Sequence, residues 1–498
     1  MHHRAAVVSL LALVASPALA QLGSGGAVTA LWERSCANCH GKDGRGGGAG
    51  TRTLLTAELF DQAHDRRFFD AIKNGVPDMG MMPFGETHND AQIWAFVVHI
   101  RELQAQALRR ERGSPGSRPG TVRTQYHTYR VEDVVPRGLQ TPWAIDWLPD
   151  GTMLVTERPG RVRAWKNGVL SEPIAGIPRS ADVGQGGMME VVAHPDFATN
   201  GYVYLAYAKA GSDGSRAPTM TTISRGTIDF TDPTRPVWKN EKVIWEARPE
   251  HFLATGLHFG VEIVFTEKQA DGRRYLFFCI GERGRMEMAQ DLTRPNGKVH
   301  RIWDDGAIPE DNPFVSTPGA YASIWSYGHR NPQGLVFDLD GNLWSTEHGP
   351  RGGDEFNVIL RGANYGWPTV SYGIHYHDAA FRTPFPDLAT PAGHHGNVSD
   401  IVMPVFRWLP SIGACGLDVY HGEGFPKWRG DLLAGGLSGE NVDRLRVARD
   451  EKGNFRLVER EELLHGIGRV RDVASAPDGS VYVVLNGPDK IVRLAPAD

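Results

Sequence analysis

Residues 143–157, Trp-Ala-Ile-Asp-Trp-Leu-Pro-Asp-Gly-Thr-Met-Leu-Val-Thr-Glu, contain two apolar runs joined by an Asp-Gly turn, which is typical of a β-hairpin. The pattern recurs at 335–347 and 473–485, and degenerate copies start near Met189, Ile263 and Leu417. The copies are spaced by roughly 45 to 80 residues, and strand-turn-strand units at this scale predict a β-propeller of six blades. An elongated β-solenoid fits these long, irregular spacings less well. The predicted fold is an all-β six-bladed β-propeller.

Length and composition limit the number of domains, the fold class and the possible partners. The chain has 498 residues, 53 basic and 58 acidic side chains, and a formal net charge of −5. It is too long for one hydrophobic core, so at least two domains are predicted. Its 59 glycines and 32 prolines indicate the many turns of a β-rich fold. Without a strong basic cluster, neither a nucleic acid nor an anionic lipid surface is a predicted partner.

Residues 1–20 predict a cleaved secretory signal peptide. Arg4 supplies the positive start, residues 5–15 an apolar stretch, and Ala18-Leu-Ala20 a small-residue cleavage site. An uncleaved membrane anchor fits less well, because the apolar stretch is too short to span a bilayer. No other segment of the sequence approaches that length. The predicted location is the periplasm or the cell exterior.

Residues 36–40, Cys-Ala-Asn-Cys-His, predict covalent haem attachment. Cys36 and Cys39 can add to the two vinyl groups of one haem, and His40 then becomes an axial ligand of the iron. A redox CxxC pair and half of a zinc site are the alternatives. The motif follows a short amphipathic helix, not a strand, and the sequence has no second CxxC. We therefore predict a small all-α haem c domain over residues 21–108.

The second axial ligand should be a thioether carried by a loop. Residues 79–84 read Met-Gly-Met-Met-Pro-Phe and precede a strongly periodic helix predicted over 90–108. The stretch resembles the Met-Pro loop of class I cytochromes c, in which the Met before the Pro binds iron. Met82 is therefore the predicted ligand, with Met79 and Met81 as alternatives. His/Met ligation closes the iron to substrate, so the domain is expected to transfer electrons.

The region after this helix separates the two predicted domains. Residues 109–123 are rich in Gly, Pro and Ser and have no apolar period, which predicts a short linker. The propeller is then predicted over residues 124–498. Its two cysteines, Cys279 and Cys415, lie far apart in the sequence, and either a disulfide or two buried free thiols is compatible with it.

Several loop segments of the repeat region carry polar groups with no obvious role in packing a blade. Arg forks bind carboxylates bidentately, so Arg330, Arg469 and Arg471 around one channel predict a polyanionic ligand. Asp354 and Glu355 supply hard oxygen ligands that suit Ca²⁺. Each feature has a plainer interpretation, a solvated strand edge for Arg469 and Arg471 and an ordinary turn for the two acids.

From about Val134 to the C-terminus, the chain resembles the quinoprotein sugar dehydrogenases, the group of soluble glucose dehydrogenase and aldose sugar dehydrogenase. The stretches that carry the resemblance are Gly328-His-Arg-Asn-Pro-Gln-Gly-Leu335, Asn364-Tyr-Gly-Trp-Pro368, Asp311-Asn-Pro313 and Ala193-His-Pro-Asp-Phe197. Members of this family are six-bladed propellers that hold pyrroloquinoline quinone (PQQ) and Ca²⁺. The resemblance implies that this chain oxidises aldose sugars with the same cofactors.

The resemblance also implies roles for single residues. It places Gln185, Arg330 and Asn331 against the quinone, and it pairs Arg469 and Arg471 with the carboxylates of PQQ.

Two Ca²⁺ sites are implied in the same way. The carbonyls of Gly349 and Pro350 would hold the ion that also binds PQQ. Asp354 and Glu355, with the carbonyl of Tyr365, would serve a second, structural ion.

His258, in Gly256-Leu-His-Phe-Gly260, matches the catalytic base of the family. A neutral imidazole can take the proton of an anomeric hydroxyl at neutral pH. The hydride then passes to the quinone C5 carbonyl, polarised by Ca²⁺, and a lactone results. Without the resemblance, a hydrogen-bonded loop histidine would be the preferred interpretation.

Four positions depart from the family pattern. Leu257 stands where a polar residue is usual, and Glu262 where an Arg is usual. Ser438 lies near the place of a quinone-binding Lys, and Asn486 near that of an Asp. Quinone affinity or substrate choice is expected to be the property affected.

Two other classes of function compete with the dehydrogenase. A propeller that has lost PQQ and only docks a partner is favoured by the missing Lys and Asp, but retention of the charged set argues against it. A propeller lactonase would want a carboxylate-lined metal in the channel. The preferred interpretation is a PQQ- and Ca²⁺-dependent aldose dehydrogenase that passes electrons through haem c to a downstream acceptor of the respiratory chain.

Overall fold

The computed structural model describes residues 26–47, 51–212, 214, 217–374 and 401–497. The predicted signal peptide, residues 1–20, lies outside these residues. Within the described ranges, no helix is both long and apolar enough to cross a membrane.

The N-terminal region is a small helical domain. Its helices are α1 Gly26–Ser35, α2 Ala37–His40, α3 Asp65–Asn74 and α4 Asp90–Arg112. Helix α4 begins with a capping box, in which the Asn89 side chain accepts from the backbone of Gln92 and the Gln92 side chain accepts from that of Asn89. Trp32 of α1, Phe69 of α3 and Phe96 of α4 meet in one core. The amphipathic helix predicted before the CxxCH motif is confirmed as α1.

The predicted linker, residues 109–123, is shorter in the structure. Helix α4 continues to Arg112 and ends at Gly113, and strand β1 begins at Thr121. The added turn lacks apolar residues but consists of good helix formers. An ion pair also stabilises this added turn. The guanidinium of Arg109 contacts both carboxylate oxygens of Glu462 at 2.6 and 2.7 Å. The connection therefore spans only residues 113–120.

The rest of the described chain is built of β-strands and one short helix, α5 Phe197–Asn200. The first strands are β1 Thr121–Arg123, β2 Thr128–Val135, β3 Pro142–Trp147, β4 Met153–Glu157, β5 Arg161–Lys166, β6 Val169–Leu170, β7 Met188–Ala193, β8 Val203–Ala210, β9 Thr219–Asp229, β10 Val237–Trp245, β11 Ile263–Phe265, β12 Tyr275–Ile280 and β13 Lys298–Trp303. The others are β14 Ile324–Tyr327, β15 Pro332–Phe337, β16 Leu343–Glu347, β17 Asp354–Val358, β18 Phe406–Trp408, β19 Ala414–Val419, β20 Leu432–Gly436, β21 Asn441–Arg449, β22 Phe455–His465, β23 Arg469–Ser475, β24 Val481–Asn486 and β25 Lys490–Pro496.

These strands form six antiparallel sheets, the blades of a β-propeller. Five blades are consecutive four-stranded units, β3 to β6, β7 to β10, β11 to β14, β15 to β18 and β19 to β22. The sixth has the order β1-β2-β25-β24-β23, so the segment that follows the helical domain completes the last blade. All six sequence copies lie on the first, innermost strands, β3, β7, β11, β15, β19 and β23. The predicted six-bladed propeller is confirmed.

The two propeller cysteines do not form a disulfide. Cys279 and Cys415 are both buried free thiols. The thiol of Cys279 donates to the carbonyl of Pro332, and that of Cys415 donates to the carbonyl of Val470. Each thiol therefore donates to the innermost strand of the next blade.

Candidate active site

The polar segments of the propeller meet at one end of the innermost strands. Gln185 precedes β7, His258 precedes β11, Arg330 and Asn331 precede β15, and Arg471 lies near the start of β23. Because the innermost strands run in the same direction around the ring, their first residues share one face of the propeller. Loops at this face are held by the rigid blades beneath them, which is the usual setting of a ligand site.

His258 is paired with a carboxylate. Its Nδ1 lies 2.7 Å from Oε1 of Glu282, whose side chain is 1% exposed. With the Nδ1 proton donated to Glu282, the Nε2 lone pair of His258 is available as a base. Burial and the nearby charge of Arg330 lower the pKa of His258 below its usual value, and the hydrogen bond to Glu282 opposes this shift. The imidazole is therefore neutral at neutral pH.

Arg283 holds the loop that carries His258 in place through hydrogen bonds. This fully buried guanidinium donates to the carbonyls of Leu257 at 2.8 Å, Thr219 at 2.8 Å and Thr255 at 2.6 Å. His258 itself has a φ of 50°, a left-handed conformation that costs energy for a residue other than glycine. The three hydrogen bonds hold the imidazole in place against this strain. Glu282 and Arg283 were not found from the sequence, because their partners lie far from them along the chain.

The predicted quinone-binding residues share a hydrogen-bond network with this loop. The backbone N–H of His258 donates to Oε1 of Gln185 at 2.8 Å, and that of Gly260 donates to Oδ1 of Asn331 at 3.3 Å. The Nε2 of Gln333 donates to the same Asn331 oxygen at 3.1 Å. The structure thus brings together residues from the loops before three different blades.

Two arginines differ in their placement. Arg471 stacks on Trp143, with 3.3 Å from its Cζ to the ring centroid, and donates to Oε1 of Gln333 at 3.0 Å. Its Nε is buried and has no hydrogen-bond partner among the described residues. Burial lowers the pKa of Arg471 to about 10, so the group remains charged at neutral pH. Arg469, by contrast, is exposed.

His348 joins the same site and was missed from the sequence. Its Nδ1 accepts from Nδ2 of Asn331 at 3.2 Å, and its carbonyl accepts from Arg330 at 3.2 Å. Burial, followed by the charges of Arg330 and Arg471, lowers the pKa of His348 well below its usual value, and a hydrogen bond to the backbone of Gly413 opposes this shift. His348 is therefore a neutral ring within this site.

Buried N–H groups without a hydrogen-bond partner indicate which ligand fits this site. A buried N–H without a partner costs free energy, on the order of 1–3 kcal/mol. Arg471 presents one such donor at its Nε, and Arg330 adds a second guanidinium. An acceptor-rich, polyanionic ring system such as PQQ would satisfy these groups, so the residues present fit it.

The predicted residues of the PQQ-side Ca²⁺ site follow directly after His348. The carboxylate of Asp354 accepts from the backbone N–H of Gly349 at 2.9 Å and from those of Ile412 at 3.1 Å and Ala414 at 2.8 Å. Asp354 thus fastens the turn that presents the carbonyls of Gly349 and Pro350. Among the described residues, no group of three or more His, Cys, Asp or Glu side chains forms a metal cluster. Carbonyl ligands are compatible with that finding, since Ca²⁺ binds backbone oxygens.

A pair of buried acids marks the second predicted ion site. Glu355 and Glu347 face each other across the β16–β17 ladder. Burial and the charge of Glu347 raise the pKa of Glu355 to about 8. Tyr365 is close by, and its ring stacks on His329 at 4.5 Å. A hard cation would relieve the repulsion of the two carboxylates, so Glu355 and Tyr365 fit the predicted set better than Asp354 does.

Below the site, the channel is lined by acids. A cavity of about 10 Å³, the space of one water, lies among Trp143, Gln333, Arg471 and three carboxyl groups. The acids are Glu190, Glu262 and Asp472. Burial, followed by mutual repulsion, raises the pKa of Glu190 and of Glu262. Glu262 therefore adds to an acid cluster at a position where the resemblance leads one to expect Arg.

The other departures from the family pattern lie around the rim. Leu257 is 40% exposed beside His258. Ser438 is exposed and supplies no cation. Asn486 donates to the carbonyl of Pro142 at 2.6 Å and so fastens the start of β3. Ser438 therefore adds no positive charge to that of Arg330 and Arg471.

In the helical domain, the haem motif forms a single turn. Helix α2 brings Cys39 and His40 next to Cys36, which is buried, while Cys39 is exposed. The Nδ1 of His40 is buried and has no hydrogen-bond partner in the described part of the chain. Two adjacent thiols and a half-buried imidazole fit covalent haem. On the opposite loop, Met82 is 74% exposed, whereas Met81 packs against the core of the domain.

Comparison with known families defines the class of the protein. Residues 139–493 match the family described as glucose/sorbosone dehydrogenase, and residues 25–100 match the family described as cytochrome c oxidase, cbb3-type, subunit III. The first match covers more than half of the chain. The chain therefore belongs to the glucose/sorbosone dehydrogenase family and carries a cytochrome c domain in front of the propeller.

Individual relatives agree with this assignment. Aldose sugar dehydrogenase YliI of Escherichia coli (strain K12) is 38% identical over 374 residues, which cover 74% of this chain and 93% of that protein. Quinoprotein glucose dehydrogenase B of Acinetobacter calcoaceticus is 28% identical over 426 residues, which cover 71% of this chain and 84% of that protein. The protein is accordingly an oxidoreductase of the sugar dehydrogenase type.

Solved structures show the same propeller. A crystal structure of glucose dehydrogenase has a TM-score of 0.65 and 38% identity, covering 74% of this chain and 99% of that one. The PQQ-bound form of aldose sugar dehydrogenase from Streptomyces coelicolor has a TM-score of 0.55 and 25% identity, covering 74% of this chain and 98% of that one. The predicted fold and family are confirmed, and PQQ and haem are the cofactors that they support.

Proposed function

We propose that the protein oxidises the anomeric hydroxyl of aldose sugars to a lactone, with PQQ and Ca²⁺ bound at the propeller and haem c as the electron acceptor. The observation that carries the proposal is the buried His258–Glu282 pair beside unused cationic and N–H donors. Bound PQQ would supply a quinone carbonyl as hydride acceptor. The remaining chemistry belongs to the side chains of the site.

Five side chains are proposed to bind or orient the quinone. The guanidinium groups of Arg330 and Arg471 would pair with its carboxylates, and the neutral ring of His348 would lie beside it. Asn331 orients His348 through the bond to Nδ1. The exposed Arg469 would close over the outer edge of the ligand. Such pre-placed donors need little rearrangement when charge develops on the quinone.

His258 is proposed as the base. Its Nε2 takes the proton of the anomeric hydroxyl as the hydride leaves the carbon. The Glu282 carboxylate stabilises the imidazolium that forms, because it accepts the Nδ1 proton at 2.7 Å. A general base in this role typically contributes about 10²–10⁴-fold to the rate.

Ca²⁺ is proposed at two places. The carbonyls of Gly349 and Pro350 would hold the ion next to the quinone, in a turn fastened by Asp354. The acid Glu355 and the Tyr365 carbonyl would hold a structural ion. Asp354 is proposed to support the Ca²⁺ site next to the quinone, because its carboxylate accepts hydrogen bonds from the backbone of the turn. It is also proposed to contribute to the structural Ca²⁺ site.

The location and the electron route complete the proposal. The predicted signal peptide places the enzyme in the periplasm. Electrons pass from the propeller to the haem of the same chain and then to a respiratory acceptor. A binding module without quinone is disfavoured, because the buried Nε of Arg471 has no hydrogen-bond partner among the described residues and an anionic ligand would supply one.

Reconstitution tests the proposal. The haem-loaded protein, made without PQQ, is mixed with PQQ and Ca²⁺ and assayed with an artificial dye against aldoses, sugar alcohols and simple alcohols. We expect aldose-dependent dye reduction that requires both additions, and a lactone as product. EDTA-treated protein without added Ca²⁺ is the control. Activity on simple alcohols alone, or activity independent of PQQ, would contradict the assignment.

A further inference from the structure

Helix α4 of the cytochrome domain is covered on both sides. Residues 93–98 are each at most 1% exposed, although a helix at the surface of a domain normally buries one face. One face packs on α1 and α3, and Ile374 and Leu409 of the propeller pack against the same hydrophobic core. The indole Nε1 of Trp94 donates to the carbonyl of Tyr372 at 2.9 Å in a buried hydrogen bond. The propeller therefore covers the outer face of α4.

Charged contacts fix the orientation of the two domains. Glu102 of α4 accepts from the Nε and Nη2 of Arg351, each at 3.1 Å and each on a different carboxylate oxygen. The side chains of Arg351 and Glu102 are 15% and 20% exposed. Asp65 of α3 pairs with Arg407 of the propeller in the same region. A bidentate guanidinium–carboxylate contact restricts both the angle and the distance between the two groups.

The Glu102–Arg351 pair lies between the two cofactor regions. On the haem side, the ring of His40 is 6.2 Å from that of Trp32, and Trp32 is 5.3 Å from His99. His99 then contacts the carboxylate of Glu102 at 3.3 Å. On the propeller side, Arg351 directly follows Gly349 and Pro350, which are proposed to hold Ca²⁺. An unbroken series of contacts thus joins the haem motif to the turn beside the quinone site.

We infer that the Glu102–Arg351 ion pair fixes the position of the turn 349–353 against helix α4, within an interface held by several contacts, and thereby sets the rate of electron transfer to the haem. The inference rests on the proposed function, since the electrons come from sugar oxidised at the propeller. Glu102 and Arg351 are positioning residues, because their role is to fix the separation of the two centres. Electron transfer slows steeply as such a separation widens.

The electron balance is simple. One aldose loses two electrons and two protons when it becomes a lactone. The haem iron accepts one electron at a time, so each sugar accounts for two successive transfers across this contact. A one-electron acceptor outside the molecule must reoxidise the haem between them. The separation of the two centres therefore affects the rate of two electron transfers in each turnover.

Glu102→Gln tests the inference in the full chain. The change removes the charge while keeping the size of the side chain. We expect sugar-dependent dye reduction within about twofold of the wild-type rate, and haem reduction slowed by at least about tenfold in stopped-flow measurements, which corresponds to about 1.4 kcal/mol. The matched control is Asp70→Asn, which removes a carboxylate from an exposed ion pair, Arg66–Asp70, of the same domain. It should leave both rates unchanged.

Two further measurements separate docking from activity. Hydrogen–deuterium exchange of the PQQ-free protein should be faster in residues 349–353 for Glu102→Gln than for wild type or Asp70→Asn. In a double-mutant cycle, the effects of Arg351→Gln and Glu102→Gln on haem reduction should be less than additive, because the two side chains share one contact. Thermal unfolding and the haem spectrum verify that the variants are folded and loaded.

The outcomes are distinguishable. If wild-type protein reduces the dye with sugar but never reduces its own haem, the proposed electron route is wrong, and the inference falls with it. If the wild-type haem is reduced and Glu102→Gln reduces it equally fast, only the inference is overturned. Equal hydrogen exchange in residues 349–353, or additive effects of the two substitutions, would also overturn it.

Discussion

Substitution of His258 by Asn should remove the general base while leaving its surroundings intact. His258 has a φ of 50°, and Asn adopts this left-handed conformation more readily than other residues except glycine. The Asn amide reaches toward the position of Nδ1 and can donate to Glu282. The backbone N–H that donates to Gln185 is unchanged by the substitution. The variant is therefore expected to fold and to bind PQQ like the wild-type protein.

The expected loss of rate follows from the role of the base. General-base catalysis contributes about 10²–10⁴-fold, which corresponds to about 2.7–5.4 kcal/mol of transition-state stabilisation. We expect this loss in kcat, measured with dye at saturating sugar, PQQ and Ca²⁺. PQQ affinity is measured separately by titration, and thermal unfolding reports on the fold.

Two outcomes would contradict this role of His258. A His258→Asn variant with normal PQQ affinity and a kcat within about tenfold of wild type would exclude His258 as the base. Lost PQQ binding at an unchanged melting temperature would instead assign His258 to the quinone site.

Three further predictions concern neighbouring groups. Glu282 raises the pKa of His258, so Glu282→Gln should move the acid limb of the kcat/KM profile to lower pH, with a lower plateau; an unmoved limb would contradict the pairing. Arg471→Ala should weaken PQQ binding, with activity partly recovered at high PQQ, and an unchanged PQQ titration would count against it. Met82→Leu should abolish His/Met ligation in the haem spectrum while Met81→Leu preserves it; the reverse result would assign Met81.

The propeller could be predicted from the sequence because its units are local. A strand, a tight turn and the next strand are hydrogen-bonded neighbours, so each copy carries its own alternation of apolar residues. All six predicted starts lie in innermost strands, including the degenerate copies near Met189, Ile263 and Leu417. The haem motif was found for the same reason, since Cys36 to His40 form one turn.

The parts that were missed depend on contacts between distant segments. Glu282, Arg283 and His348 stand in ordinary sequence surroundings, and only folding brings them to the His258 loop. The end of α4 was placed four residues too early, because charged residues 109–112 carry no apolar period and are stabilised by Glu462 of the last complete four-stranded blade. Sequence periodicity likewise cannot tell what covers the second face of α4.

The closure of the last blade bears on the order of folding. The helical domain is synthesised first and contains its own hydrophobic core, so it can fold while the rest of the chain is still unfolded. The ring closes only when β25 arrives and pairs with β2, more than 350 residues later along the chain. Until then β2 remains an unpaired edge next to a finished domain. A truncation anywhere in the last blade would therefore leave a folded helical domain attached to an open propeller, and proteases would cleave the unfolded propeller segment.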